Sequence, residues 1–200
     1  MAMRKLTLAD IADARAYERE RDALRAQVIE LKRCRRVAIG TVVSVMFESR
    51  ETMRYQIQEM ARVERIFTDD GIQQELDVYN PLIPEPGQLC ATLFIELTSD
   101  EQMREWLPRL VGIDNSVLFR LPGLDGPAGM VRSVVRAEHS AQLTRDEITA
   151  AVHYITFHFT PDQVAAFTEG VALEIDHPAY RESAVLPAAT VIELLRDLRP

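Results

Sequence analysis

The sequence predicts an α+β fold: a mainly antiparallel sheet of about six strands, packed with helices, in a single domain. Three observations predict it. Runs that alternate apolar and polar residues are interleaved with runs of helical spacing. Some strand-like runs are joined by helices and others by a proline- and glycine-broken turn, unlike the regular strand–helix repeat of a parallel sheet. The composition, 47% hydrophobic and 27% charged with no low-complexity stretch or internal repeat, is that of a folded domain. At 200 residues the chain suits one domain over 1–200, burying roughly 70% of its unfolded surface.

Thr7, with Asp10 three residues later, forms a near capping box, and Leu8, Ile11, Leu24, Val28 and Leu31 recur at helical spacings. A helix is therefore expected over about 8–33, with a break near Tyr17. Its middle alternates acidic and basic residues, as a solvated face does. It ends in Lys32, Arg33, Cys34, Arg35 and Arg36, the basic cluster of an acidic chain. Cations there complement the negative end of the helix dipole, or present an anion-binding or partner surface. Cys34, between cations, is a candidate reactive thiol, although no histidine or second cysteine adjoins it.

Over 37–47, Val37, Ile39, Val43, Val45 and Phe47 share one strand face while Gly40, Ser44 and Glu48 share the other. A central helical segment then fills about 49–82, broken at Gly71 and stopped by Pro81 and Pro84. At 100° per residue, Met53, Ile57, Met60 and Phe67 form its apolar face, and Glu64 falls near the middle of that face. An ionised carboxylate taken out of water costs several kcal/mol unless a cation, a metal or several donors meet it. Glu64 is thus expected either to make a structural salt bridge or to serve as an acid, base or ligand.

Further strands are expected at 89–97 and in two runs between 117 and 136, with a helix over 100–111 between them. In 152–159, His153 continues the apolar row of Ile155, Phe157 and Phe159. In 171–177, His177 ends the row of Val171, Leu173 and Ile175. Thr160–Pro161–Asp162 begins a helix between these strands, and 187–198 forms the last one.

Pattern alone directs Glu64, His153 and His177 inward, and together they would make a carboxylate–imidazole pocket or a divalent-metal site, with Arg54 and Tyr180 as helpers. Taken singly, each histidine also reads as a satisfied core or turn residue. Neither His-Glu-x-x-His, a helical Glu-x-x-His pair, a nucleophile elbow nor a phosphate-cradling loop occurs, so no cofactor is indicated. A net charge of −8 opposes nucleic acid and acidic lipid as partners. Cys34 and Cys90 are too few for a disulfide scaffold. No apolar run spans a bilayer and no signal-peptide core opens the chain, so the cytoplasm is the default location.

The runs FESRETMRYQIQEMARVERIF at 47–67, ELDVYNPLIP at 75–84, AVHYITF at 151–157 and DHPAYR at 176–181, with the opening RKLTLADI at 4–11, resemble an uncharacterised bacterial family, a domain of unknown function. The likeness covers almost the whole chain. Members are often encoded beside rubrerythrin-like proteins and an iron–sulfur oxidoreductase related to heterodisulfide reductase. The resemblance therefore implies a role in peroxide defence or electron transfer, with those proteins as partners, but assigns no catalytic residue. Two readings follow: an accessory or interaction protein docking through the 48–84 segment or the basic cluster Lys32, Arg33, Arg35 and Arg36, or a small enzyme or ligand-binding protein built on Glu64, His153 and His177.

Overall fold

A computed structural model describes residues 5–135 and 148–199. The fold is α+β, as expected, but its strands form two antiparallel sheets instead of one. β1 (Arg36–Ile39), β2 (Val43–Phe47), β3 (Gln88–Ile95), β7 (Val152–His158) and β6 (Val134–Val135) pair in the order β1-β2-β3-β7-β6. The second sheet orders β5 (Met130–Arg132), β4 (Val117–Arg120), β8 (Ala172–His177) and β9 (Tyr180–Val185) as β5-β4-β8-β9. Alternation decides what lies between them. Val43, Val45 and Phe47 of β2, Leu89, Ala91 and Leu93 of β3, and Ile155 and Phe157 of β7 share a core with Val117, Phe119, Leu173 and Ile175 of the second sheet. Phe119 is the hub, with the rings of Phe47, Phe157, Phe159 and Phe167 at 4.8–5.7 Å between centroids.

The sheets join at both edges. Ser133 separates β5 from β6, and its backbone N–H donates to Val117 O while its hydroxyl donates to Asp114 O, so one bent strand passes from sheet to sheet. At the other edge Tyr180, the first residue of β9, donates its hydroxyl to Ile39 O at 2.7 Å and accepts the backbone N–H groups of Thr41 and Val42. Gly40 fits this corner because its φ is +67° and any Cβ there would collide with the Tyr180 hydroxyl and the Glu182 side chain.

The outer face of the five-stranded sheet is covered as well, which is why Ser44, Met46, Cys90, Thr92 and Thr156 are buried. The cover is helical: α1 (Ala14–Arg35) packs on α2 (Arg50–Glu64), and α2 on α3 (Asp69–Tyr79). Met53 and Ile57 of α2, Leu76 of α3, Leu6, Leu82 and Ile83 make a second, smaller core there, with Tyr154 of β7 against it. α4 (Asp100–Arg109), α5 (Pro161–Ala166) and α6 (Ala188–Leu198) complete the described helices, and Val191, Leu194 and Leu198 of α6 reach the inter-sheet core.

Two helix boundaries and the strand count differ from the sequence expectation. The helix expected from residue 8 is a single 3₁₀ turn at Leu8–Asp10, and α1 begins only after Asp13, whose side chain caps it by accepting the N–H groups of Arg15 and Ala16. The central segment breaks before Gly71, at Arg65, which takes the left-handed conformation with φ 58°. Gly71 lies inside α3, and its N–H donates to the capping hydroxyl of Thr68. The expectation of about six strands merged β1 with β2 in one run over 37–47 and β5 with β6 in one run over 130–135, and did not include β9.

Candidate functional site

Glu64 is exposed at the last turn of α2, which corrects the inward placement expected for it. The buried stripe of α2 is Met53, Ile57 and Ala61, spaced by four, while Val63 and Phe67 are 67% and 73% exposed. The helix is turned toward Ala61 and its last turn overhangs the layer beneath. Among the described residues Glu64 makes no ion pair. The Glu75 carboxyl is pushed up first by its own burial and then by the charge of Glu64.

His153 and His177 do point inward, as alternation predicts, at 2% and 6% exposure. They serve separate structures. His153 Nδ1 lies 3.3 Å from Asp114 Oδ2, and Nε2 lies 2.9 Å from Thr149 Oγ1 and 2.8 Å from Ala150 O. Burial pushes the Asp114 carboxyl up, but the hydrogen bond and charge of His153, with the backbone N–H groups of Asp114 and Asn115, outweigh it and hold Asp114 below the usual range. The Asp–His–Thr row resembles a relay, yet Asp114, His153 and Thr149 are all buried and offer no open side to a substrate. His177 Nε2–H donates to Val111 O at 3.0 Å while Nδ1 accepts the N–H of Ala179, which closes the turn into β9. Among the described residues no group of three or more His, Cys, Asp and Glu side chains is placed to hold a metal ion.

The helper residues have structural partners too. Tyr180 is saturated at the corner with Gly40, and Arg54 donates from Nε to Asp10 O at 2.8 Å. The basic cluster is dispersed. Arg35 is buried against Asp197 and Glu193, Arg36 pairs with Glu96 and lies over the Phe94 ring, Arg33 pairs with Glu30, and Lys32 lies 5.8 Å from the Tyr55 ring centroid. Cys34, between Arg33 and Arg35, is half-buried.

The helical layer carries a groove of about 630 Å³ between the start of α1 and the junction of α2 with α3. Leu8, Ile11, Ala61, Ile66, Phe67 and Ile72 give it an apolar lining. Each wall is held by polar contacts behind it. The Gln58 amide accepts the N–H of Ala12 at 2.7 Å and donates to Ala12 O, while Arg50 pairs with Asp10 at 2.6 Å. The Asn80 amide clasps Leu6 in the same two-bond way. These side chains fix residues 6–12 as a strap across the helices. On the far wall, Arg65 turns the chain so that Ile66 N–H donates to Ala61 O. Beneath, Tyr17 donates to Glu59, whose carboxylate also receives Arg21 at 2.8 and 2.9 Å. Arg21 first, and then the Tyr17 hydroxyl, overcome the cost of burial and hold the Glu59 carboxyl down at about 2.

At the rim stand Arg15, Arg62 and Arg65. Arg62 is engaged by Glu18 at 2.7 Å, whereas among the described residues Arg15 and Arg65 make no ion pair. The sequence carried a trace of this site: Val63 and Phe67 continue the apolar pattern of α2 beyond the stretch that Met53, Ile57 and Ala61 bury.

The chain matches the model of a family described as "Protein of unknown function (DUF3501)" over residues 5–198. A crystal structure of a protein of unknown function from Burkholderia pseudomallei is similar, with a TM-score of 0.87 and 36% identity over 98% of this chain and 100% of that one. No curated protein matches. Among the described residues no helix is long and apolar enough to cross a membrane.

Proposed function

Since the chain belongs to this family of proteins of unknown function, we propose that it is an accessory protein that binds another protein, with the groove between α1, α2 and α3 as its docking surface. The observation that carries the reading is Phe67, 73% exposed beside a preformed apolar groove. An aromatic ring left in water at the edge of such a groove is what a buried interface uses as an anchor. The strap and the Arg65 turn hold the groove open without a ligand, so binding needs little ordering of this chain. A helix laid into an apolar groove is a recurring mode of recognition, and the size of this one suits a few anchoring side chains.

The rubrerythrin-like proteins and the iron–sulfur oxidoreductase implied by the resemblance are the first partners to test. Titration calorimetry of the full chain against each, repeated with Phe67→Asp, decides the matter. The reading expects binding that falls at least tenfold in the variant; binding unchanged by Phe67→Asp, or none to either protein, rejects it. The alternative, an enzyme or metal protein built on Glu64, His153 and His177, has less support because the two histidines are satisfied by different neighbours and Glu64 faces solvent.

A further inference from the structure

The contacts that the two buried histidines serve converge on one segment. Residues 110–116 carry the chain from α4 to β4 through a 3₁₀ turn at Ile113–Asn115. His153 of the five-stranded sheet reaches Asp114 there, and His177 of the four-stranded sheet reaches Val111. The same segment fastens α4, since no residue of that helix is buried whereas Leu110 and Ile113 are wholly so. Hydrogen-bond counting gives the two rings opposite protonation states. Both nitrogens of His153 face acceptors, Nδ1 the Asp114 carboxylate and Nε2 the Ala150 carbonyl, so both carry hydrogen. Thr149 Oγ1, also beside Nε2, takes either role and leaves that count unchanged. His177 faces one acceptor, Val111 O at Nε2, and one donor, the N–H of Ala179 at Nδ1, so Nε2 alone carries hydrogen. We infer that segment 110–116 is a pH-gated latch, closed only while His153 is an imidazolium and His177 a neutral imidazole.

Removing a proton from His153 sets a lone pair against the Asp114 carboxylate or the Ala150 carbonyl, which loosens the latch as pH rises. Adding one to His177 sets Nδ1–H against the N–H of Ala179, which loosens it as pH falls. Other ionisable groups stand aside. Among the described residues, Asp114 is the only ionisable side chain in hydrogen-bond or ion-pair contact with the His153 ring, and the His177 ring has none. Tyr180, opposite His177 on β9, keeps its hydroxyl on Ile39 O, while Asp176 and Arg181 pair on the other face of the sheet. On α4, Arg109 lies over the Trp106 ring and pairs with Glu105.

Two measurements on the isotopically labelled full chain test this. Ring-nitrogen correlation spectra, taken between about pH 5 and pH 9, show which nitrogens carry hydrogen. Near neutral pH His153 is expected to be protonated at both and His177 at Nε2 alone. Amide-exchange protection at Leu110, Ile113 and Ser116, with the fluorescence of Trp106, the chain's one tryptophan, reads the latch itself. That protection should fall roughly tenfold or more toward both ends of the range, while it holds at Val45 and Leu173 within the two sheets. His177→Gln, whose amide still donates to Val111 O, should abolish only the acid loss. Asp114→Asn, which can donate to a neutral His153, should abolish only the alkaline loss. A bare nitrogen on His153 or a second hydrogen on His177 near neutral pH overturns the inference, and the wild-type chain alone suffices to show either. So does constant protection across the range, or a loss that Val45 and Leu173 share, which is unfolding of the whole chain and not the opening of a latch.

Discussion

Replacing Arg35 by alanine is the sharpest test of how the helical layer is fastened to the rest of the chain. Arg35 is the last residue of α1 and only 2% exposed. Its Nη1 and Nη2 lie 2.7 and 3.0 Å from the two oxygens of Asp197 on α6, its Nη2 is 3.0 Å from Glu193 Oε1, and its Nη1 is 3.2 Å from Glu48 O. One guanidinium therefore ties α1, α6 and the entry to α2. Removing it leaves Asp197, 3% exposed, as a buried carboxylate without its counter-ion. Breaking one half of such a pair costs about 3–5 kcal/mol, or a fall in Tm of roughly 10 °C for a chain of this size.

The effect carries a pH signature. Burial, opposed by Arg35 and reinforced by Glu193 and Glu51, already raises the Asp197 pKa above its ordinary 3.8. The folded chain therefore holds the proton more tightly than the unfolded one, so this group costs stability as pH rises through the interval above 3.8. Without Arg35 the pKa rises further, and the deficit should be larger near pH 7 than near pH 4. Urea denaturation of wild type and Arg35→Ala at both pH values reads it directly. An apolar pair, Arg35→Met/Asp197→Leu, should recover most of the loss, because it buries no unpaired charge. A deficit below about 1 kcal/mol at pH 7, one that does not shrink in acid, or no recovery in the double variant refutes the reasoning.

Tyr180→Phe strands the Ile39 carbonyl and the Thr41 amide at the corner between the sheets, and should cost about 1–3 kcal/mol in thermal or urea denaturation. Gly40→Ala at the same corner forces both a left-handed alanine and a collision with Tyr180, for a loss of about 2 kcal/mol or more. Glu64→Ala, by contrast, should change stability by less than about 0.5 kcal/mol, since an exposed side chain without an ion pair is lost; a fall of several kcal/mol would show Glu64 buried after all. Glu59 titrates at about 2 in the folded chain against 4.5 ordinarily, so its stabilisation is complete above pH 4.5 and is lost as pH falls toward 2. Acid titration of Glu59→Gln should accordingly show a shallower loss of stability over that interval than wild type, and parallel curves would dismiss the Arg21–Glu59 contact as a contributor.

Much of this was legible in the sequence, and the rest was not for identifiable reasons. Two-residue alternation placed His153 and His177 on core-facing rows correctly, because strand geometry leaves each side chain only two directions. Helical periodicity placed Glu64 wrongly, because a helix wheel has no ends: it does not show that α2 runs past the layer it covers. The basic cluster Lys32, Arg33, Arg35 and Arg36 read as a complement to the helix dipole or as a surface; Lys32, Arg33 and Arg35 do lie in the last turn of α1, but Arg35 is buried, so the four do not form one surface. Gly71 looked like a break, but Arg65 adopts the left-handed turn and Thr68 caps the next helix.

Local regularities of the chain thus determined which segments are strands and helices and, on the strands, which side chains turn inward, since those depend on neighbours within a few residues. Only the tertiary structure decided which polar groups meet: Arg35 with Asp197 across 162 positions, the Tyr180 hydroxyl with Ile39 O across 141, His153 with Asp114 from another element. It also decided that two sheets enclose the core and that α1, α2 and α3 leave a groove lined by Phe67, because the angles at which the layers pack are set by contacts distant in sequence.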